Sequence, residues 1–217
     1  MNEILDRCRL ILGVCPGLCS AEQVIDALSG GDVATVILFP DKTLPNEFAP
    51  FCKKLVPLIQ ERGIAVVISD DHQLVERTDA DGIYVEKTKN ELPDIIARFS
   101  PQKIVGCGGI KDRHGALKAG EYNPDFVLFG KLGADVKPEP HPKNLTLGEW
   151  WAELVEVPTV LPCGNEIDSV VAVAKTGADF VLAQTAVFSA VASPGEMVSR
   201  ANRLLEKHAP SLSELNS

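Results

Sequence analysis

Short apolar segments alternate with amphipathic segments along this 217-residue chain, and the alternation constrains its fold more than any other feature. The short segments are rich in β-branched residues and apolar on both faces, which is typical of parallel strands buried on both sides. We predict strands over residues 10–14, 35–39, 65–69, 82–85, 103–106, 126–129, 159–161 and 180–183. We predict helices over residues 21–28, 47–62, 73–77, 92–99, 111–119, 147–155, 167–176 and 195–208.

Strict strand-then-helix alternation leaves two architectures, an open doubly wound sheet or a closed barrel. Eight consecutive units in one chain of this length favour closure, so we predict the α/β class and a single (β/α)8 TIM barrel. The whole of residues 1–217 is expected to form one domain, with the barrel over residues 9–208 and a frayed tail over 209–217.

Three similar segments recur along the chain: ADGIYV, PDFVLF and ADFVLA. They place Asp81, Asp125 and Asp179 at the starts of the even-numbered predicted strands. In this type of barrel, residues at the end where strands begin usually contribute to stability, and the active site lies at the other end. We therefore interpret these carboxylates as turn or cap residues and not as catalysts.

The composition limits the functional class. A net charge of −9 argues against nonspecific binding to nucleic acid, although a small phosphorylated ligand needs only a local cluster of donors. No apolar run is long enough to span a membrane, and the first residues do not resemble a secretory signal, so we expect a cytoplasmic protein. The six cysteines are scattered, which favours reduced thiols over disulfides or a metal site. Cys107 and Cys163 fall at strand ends, where a buried structural thiol is the commoner interpretation.

Residues 157–190 predict strand, glycine turn, helix, strand and short helix. The two strand ends carry Gly164, Asn165, Gln184 and Thr185, and barrels commonly hold a phosphate at their last two strand ends. An ordinary pair of strand-to-helix turns remains the alternative. The long irregular stretch at 130–144 contains three lysines and is expected to open onto the same face as a lid or a ligand contact.

Several segments resemble the thiamine phosphate synthases and their relatives, the TenI-type thiazole tautomerases, which are small (β/α)8 barrels. Residues 64–71 (IAVVISDD) stand where the family has a strand ending in Asn-Asp-Arg, and residues 81–85 (DGIYV) stand where it has Asp-Gly-Val-His-Leu. Residues 91–93 (ELP), 104–107 (IVGC) and 125–130 (DFVLFG) are similar to Asp-Leu-Pro, Ile-Gly-x-Ser and Asp-Tyr-Val-x-x-Gly. The resemblance extends over nearly the whole chain.

The resemblance implies an enzyme that joins a pyrimidine diphosphate to a thiazole phosphate and releases pyrophosphate. It implies Mg²⁺ held by Asp70 and Glu91, because Mg²⁺ prefers hard oxygen ligands. It implies diphosphate contacts from Lys42 and Lys137, and a thiazole phosphate site at the residues after the last two strands. For Asp70 and its neighbour Asp71, a helix N-cap is the alternative interpretation.

The departures from the family pattern keep other functions open. Pro40 replaces the Arg that clamps the diphosphate, and Leu38 stands where the family has a Gln that orients the pyrimidine. Ser69 replaces an Asn, and Ala134-Asp135 introduces a carboxylate near the pyrophosphate. Lys131 aligns with the histidine of the tautomerases and is the candidate for proton transfer.

The alternatives are therefore a TenI-like tautomerase, another barrel enzyme acting on a phosphorylated small molecule, and a non-catalytic paralogue that binds a thiamine precursor. Barrels of this size commonly dimerise through their outer helices, so a homodimer is an expected state.

Overall fold

In the computed structural model, eight parallel strands close into a barrel in the order in which they occur along the chain. The structure describes residues 6–42, 44, 46–86 and 88–215, and the side chains of these residues except those of 88–90 and 214–215. The strands are β1 (Arg9–Val14), β2 (Thr35–Leu38), β3 (Ala65–Ser69), β4 (Gly82–Val85), β5 (Ile104–Cys107), β6 (Phe126–Leu128), β7 (Thr159–Pro162) and β8 (Phe180–Ala183). The predicted (β/α)8 barrel is confirmed.

The helices lie between the strands and after the last one. They are α1 (Ala21–Leu28), α2 (Phe48–Gln60), α3 (His72–Thr78), α4 (Thr88–Phe99), α5 (Arg113–Gly120), α6 (Pro142–Leu154), α7 (Val170–Ala174), α8 (Thr185–Phe188), α9 (Pro194–His208) and α10 (Leu212–Leu215). A short 3-10 turn, Ile167–Ser169, precedes α7, so the single helix predicted at 167–176 is divided into two parts.

Closure is completed by hydrogen bonding between the first and last strands. Leu10 pairs with Val181 and Leu12 pairs with Ala183 in a parallel register. A large apolar cluster lies between the outer surface of the strands and the helices, and Trp151 and Leu55 are fully buried in it. A second cluster fills the barrel interior and includes Ile11, Ile37 and Tyr84. The barrel is therefore a packed core, and ligands have access only at its ends.

Local signals fix several helix boundaries. Ser20 and Gln23 form the capping box at the start of α1, as the sequence indicated. Gly63 and Gly177 adopt φ of +71° and +79° just after helices, where residues with side chains are disfavoured. Helix α6 begins at Pro142, earlier than the predicted residue 147, because proline suits the first turn and His141 accepts a hydrogen bond from the Lys143 N–H.

The short helix α10 lies within the carboxyl-terminal segment. The Ser211 and Ser213 hydroxyls each donate a hydrogen bond to the Asp6 carboxylate, at 2.6 and 2.7 Å. These hydrogen bonds lower the pKa of Asp6 and tie the two ends of the described chain together.

Candidate active site at the barrel mouth

The residues predicted to bind substrate or metal or to transfer a proton follow the carboxyl ends of strands, at the barrel mouth, where this fold places the loops after its parallel strands. They are Lys42 after β2, Asp70 after β3, Glu91 in the first turn of α4, Lys131 and Lys137 in the loop between β6 and α6, Gly164 and Asn165 after β7, and Gln184 and Thr185 after β8. The loop of residues 129–141 is called the β6–α6 loop below.

Asp70 is held in position by its neighbours on two strands. Its backbone lies in the left-handed region at φ 55°, which Asp tolerates better than most residues. One carboxylate oxygen accepts a hydrogen bond from the Glu86 N–H at 2.9 Å, and the other accepts one from the Ser69 hydroxyl at 3.1 Å. The helix cap is Asp71, which accepts from the Leu74 N–H at 2.8 Å. Asp70 is therefore free of the capping role and presents an oriented, exposed carboxylate.

Tyr84 stands where the resembling family has a histidine, and its hydroxyl lies against Gly108, just after β5. The ring is fully buried and stacks on Phe126 with 6.3 Å between ring centroids. The hydroxyl is buried with no hydrogen-bond partner among the described residues. Burial, followed by electrostatic interactions with Glu86, Cys107 and Asp70, raises the Tyr84 pKa well above its ordinary value. The hydroxyl is thus a neutral group, and its lack of a partner was not foreseen from the sequence.

The predicted cationic residues lie on loops around the mouth, and the second carboxylate, Glu91, lies in the first turn of α4. Lys42, Lys131, Lys137 and Glu91 all expose their side chains. Among the described residues, no group of three or more His, Cys, Asp or Glu side chains could hold a metal ion.

The residues after β7 pack closely against the β6–α6 loop. The Asn165 N–H donates to the Lys137 carbonyl at 2.7 Å, and its side-chain amide donates to the Val136 carbonyl at 3.1 Å. The Gly164 N–H donates to the Ser169 hydroxyl at 2.9 Å. A Cβ at Gly164 would collide with the Pro138 carbonyl oxygen, so the close approach of the loop requires glycine here.

The residues after β8 contact the same loop. The fully buried Gln184 accepts a hydrogen bond from the Gly133 N–H at 2.8 Å, while its own side-chain NH₂ has no partner among the described residues. Thr185 donates to a carboxylate oxygen of Asp135 from its backbone N–H at 2.7 Å and from its hydroxyl at 2.6 Å. We call Gly164, Asn165, Gln184 and Thr185 the β7–β8 corner. In this structure the donors of Asn165 and Thr185 bind the loop.

At the end of β2, Phe39 and not Leu38 faces the barrel interior, although the family resemblance pointed to Leu38. Leu38 is fully buried in the outer cluster, against the helices, whereas Phe39 belongs to the interior cluster. A Cβ at Gly133 would lie 3.4 Å from the Phe39 ring, so this ring lies beneath the β6–α6 loop. Pro40 follows as an exposed residue. The aromatic ring of Phe39, just after β2, therefore belongs to the interior beneath the loop, whereas Leu38 does not.

Burial makes the thiols poor nucleophiles, in line with the structural interpretation of the cysteines. All six are free and buried. Burial raises the pKa of Cys107 to about 12, and burial together with the charge of Asp135 raises that of Cys163 to about 12. Since the thiolate is the reactive form, neither residue is suited to nucleophilic catalysis here.

The opposite end of the barrel carries the repeated aspartates. Asp81, Asp125 and Asp179 each accept a hydrogen bond from a backbone N–H of the preceding strand, at Val66, Val105 and Thr159, with distances of 2.7–2.8 Å. A recess of about 590 Å³ at this end is lined by two of them, Asp81 and Asp125. Their carboxylates are engaged in strand-to-strand contacts, whereas the sequence predicted turn or cap residues.

The fold and the mouth define the class of protein: a (β/α)8 barrel whose polar groups converge where the strands end. A family described as thiamine monophosphate synthase matches residues 11–191, and the chain belongs to this family. The match runs from β1 to just beyond α8, so it includes every loop that contributes to the mouth.

Individual relatives agree with the family. A thiamine-phosphate synthase of Rhodospirillum centenum is 30% identical over 205 residues, covering 91% of this chain and 98% of the relative. One from Hyphomonas neptunium is 28% identical over 192 residues, covering 85% and 86% of the two chains. The solved structure of a thiamine phosphate pyrophosphorylase from Pyrococcus furiosus is 20% identical, covers 94% of this chain and 98% of that one, and superposes with a TM-score of 0.77. Within the described part of the chain, no helix is long and apolar enough to cross a membrane.

Proposed function

We propose that this protein is an enzyme of thiamine biosynthesis that joins hydroxymethylpyrimidine diphosphate to a thiazole phosphate and releases pyrophosphate. The observation that carries the proposal is the oriented Asp70 carboxylate at the mouth of a chain matched to the family along residues 11–191. Asp70 stands where the family has its metal-binding Asp, and its geometry is maintained by two hydrogen bonds from within this chain.

The reaction requires stabilisation of a leaving pyrophosphate. The bond between the pyrimidine methylene carbon and the diphosphate oxygen breaks, so negative charge accumulates on the departing group. The chain offers three lysines on the loops around the mouth for this charge: Lys42, Lys131 and Lys137. We assign Lys42 and Lys137 to the diphosphate and Lys131 to proton transfer or charge neutralisation beside it.

The donor set of the mouth fits Mg²⁺. Asp70 and Glu91 provide hard carboxylate oxygens, and both are exposed, so water and diphosphate oxygens can complete an octahedral shell. Bound there, Mg²⁺ would neutralise the pyrophosphate as it departs. The Glu86 N–H and the Ser69 hydroxyl orient Asp70 by occupying one lone pair on each oxygen, which leaves others for the cation.

The β7–β8 corner is our proposed site for the thiazole phosphate. Backbone and side-chain donors of Gly164, Asn165, Gln184 and Thr185 lie after two adjacent strands, the usual phosphate position of this fold. Small phosphorylated molecules are thus the proposed partners; a homodimer through outer helices and a cytoplasmic location complete the proposal.

We expect purified protein with Mg²⁺ and both substrates to form thiamine phosphate and pyrophosphate. Asp70→Asn should keep the fold and lower kcat/KM by about a hundredfold or more, because one charged metal ligand is lost. Glu149→Gln removes a carboxylate from the exposed outer side of α6 and is the matched control. Wild-type protein that makes no product, or Asp70→Asn with full activity, would contradict the proposal.

A second candidate function is the binding of a thiamine precursor without synthesis. It is favoured by Pro40 in place of the diphosphate-clamping Arg and by the internal contacts of the β7–β8 corner. Calorimetry distinguishes the two: binding of thiazole phosphate without product formation would support the second candidate.

A further inference from the structure

The β6–α6 loop binds the β7–β8 corner through four kinds of contact. Asp135 accepts from Thr185, the Lys137 carbonyl accepts from the Asn165 N–H, the Val136 carbonyl accepts from the Asn165 amide, and the Gly133 N–H donates to Gln184. Three of these four use corner donors that a bound phosphate would need. The described loop and a phosphate therefore compete for the same groups.

Asp135 is the loop residue that most resembles a bound anion. Its residue exposure is only 7%, and none of the ion pairs between described residues includes it. One of its carboxylate oxygens receives two hydrogen bonds from Thr185, at 2.7 and 2.6 Å. Its negative charge also contributes to the raised pKa of Cys163, after burial, which places it close to the end of β7. Among the described residues, this carboxylate thus accepts hydrogen bonds from neutral donors and forms no ion pair that offsets its charge.

Gln184 gives an independent indication that this arrangement is not the only one the corner accommodates. Its side chain is fully buried, its oxygen accepts from Gly133, and its NH₂ group has no partner among the described residues. Buried polar groups in native proteins are nearly always hydrogen-bonded, and those that are not call for an explanation. With the β6–α6 loop bound to the corner, the Gln184 NH₂ has no acceptor among the described residues, and a phosphate oxygen would supply one.

We propose that Asp135 is an internal stand-in for the substrate phosphate, and that a phosphate monoester binds the β7–β8 corner only by displacing Asp135 and the loop segment around it. The inference rests on the proposed function, because it takes the corner as the phosphate site. A carboxylate and a phosphate cannot share the Thr185 donors, since two anions at hydrogen-bonding distance repel each other. Loop opening also frees the N–H and amide of Asn165, and the ligand gains these as additional donors.

If phosphate binds only when the loop is open, its apparent affinity equals the intrinsic affinity multiplied by the fraction of molecules in which the loop is open. Asp135→Asn removes the charge, keeps the shape and weakens the contact with Thr185. We expect this variant to bind both inorganic phosphate and thiazole phosphate about tenfold more tightly, measured by calorimetry on the full chain. Asp112→Asn is the matched control, because Asp112 accepts a similar backbone hydrogen bond, from Gly115 at 2.8 Å, and loses the same charge.

The structural alternative makes the opposite prediction. If Asp135 only stabilises the start of α8, Asp135→Asn will lower the melting temperature and leave phosphate affinity equal or weaker, and the proposal is overturned. Combining Asp135→Asn with Thr185→Val should abolish the gain in affinity, because the hydroxyl donor shared by the two anions is removed.

Hydrogen exchange on the wild-type protein tests the inference without depending on a variant that folds. Adding thiazole phosphate should accelerate amide exchange in the peptide covering residues 130–141, since the loop loses its contacts; slower exchange there would overturn the proposal. Tighter phosphate binding by Asp135→Asn, together with no synthase activity in the wild-type protein, would support this inference and contradict the proposed function. Synthase activity with unchanged affinity in Asp135→Asn would do the reverse.

Discussion

At the residue scale, two buried polar groups have no hydrogen-bond partner in the part of the chain that the structure describes: the Tyr84 hydroxyl and the Gln184 NH₂. Each of these groups lies against a glycine, whose lack of a side chain provides the space that the group occupies. A Cβ at Gly108 would collide with the Tyr84 hydroxyl, and a Cβ at Gly13 would lie 2.8 Å from Gln184 Cγ. The glycines in β1 and after β5 therefore make space for these two side chains above the packed interior. Such groups are costly to bury, so we interpret them as ligand contacts of the open mouth.

Tyr84→Phe tests this interpretation of the hydroxyl. The unpartnered oxygen is removed, so we expect the free energy of unfolding to rise by about 1 kcal/mol, while kcat/KM for synthesis falls. Urea unfolding and the synthase assay are the two measurements. As a comparison, Gly108→Ala should destabilise the wild-type protein through its collision with Tyr84, and should be better tolerated when combined with Tyr84→Phe. Lower stability of Tyr84→Phe would show that the hydroxyl has a partner in solution.

At the element scale, the strands are joined in pairs by the carboxylates at their amino ends. Asp81 connects β4 to β3, Asp125 connects β6 to β5, and Asp179 connects β8 to β7. The β1–β2 pair has a different device, in which Arg9 forms two hydrogen bonds with Asp32, at 3.0 and 2.7 Å. The repeat seen in the sequence thus corresponds to a repeated connection that fixes strand register at the end of the barrel away from the mouth.

Asp179 gives this device a pH dependence. Burial raises its folded-state pKa above the ordinary 3.8, despite the hydrogen bond from Thr159. The carboxyl therefore contributes its full stability below the unfolded-state pKa, and that contribution is lost as the pH rises through the folded-state pKa. Asp179→Asn cannot ionise and retains an acceptor oxygen. Relative to wild type, its free energy of unfolding should increase between pH 3 and pH 7, measured by urea unfolding at each pH.

A control and an opposite outcome define that test. Glu149→Gln removes one exposed carboxylate from α6 and corrects for the loss of net negative charge. If Asp179→Asn loses stability relative to wild type as the pH rises, the ionised carboxylate stabilises the barrel and the assigned direction is wrong.

At the scale of the whole molecule, the barrel has no disulfide among the described residues and depends on burial. All six cysteines are part of this packing. Cys8, Cys52 and Cys107 have no exposed surface, and Cys163 has only 2%. Burial raises the pKa of Cys19 and Cys52 to about 12, so their reactive thiolate forms are rare at neutral pH.

We therefore expect the native protein to react slowly with Ellman's reagent at pH 8, and the unfolded protein to release six equivalents of thiolate rapidly. The protein in guanidinium chloride is the internal control for the number of thiols. Rapid release of one or more equivalents from native protein would show that the mouth or a helix opens far enough to expose a cysteine.

The sequence by itself determined the barrel, because buried parallel strands and amphipathic helices have distinct periodicities that are visible along the chain. It also determined the capping box of α1 and the end of the barrel that carries the aspartate repeat. The candidate residues Asp70, Glu91 and Lys42 followed from their places after strands and from family resemblance. Their catalytic and metal-binding roles remain predictions.

Only the tertiary structure decided what those residues contact. Asp135 and Thr185 are separated by 50 residues along the chain, and no local pattern predicts that a carboxylate fills the corner after β8. The packing of strands and loops also decides that Leu38 lies in the outer cluster. It likewise leaves the Gln184 NH₂ without a partner among the described residues. The hydrophobic periodicity of the sequence indicates which residues are buried. Hydrogen bonds between distant loops form only because the closed barrel brings the strand ends together.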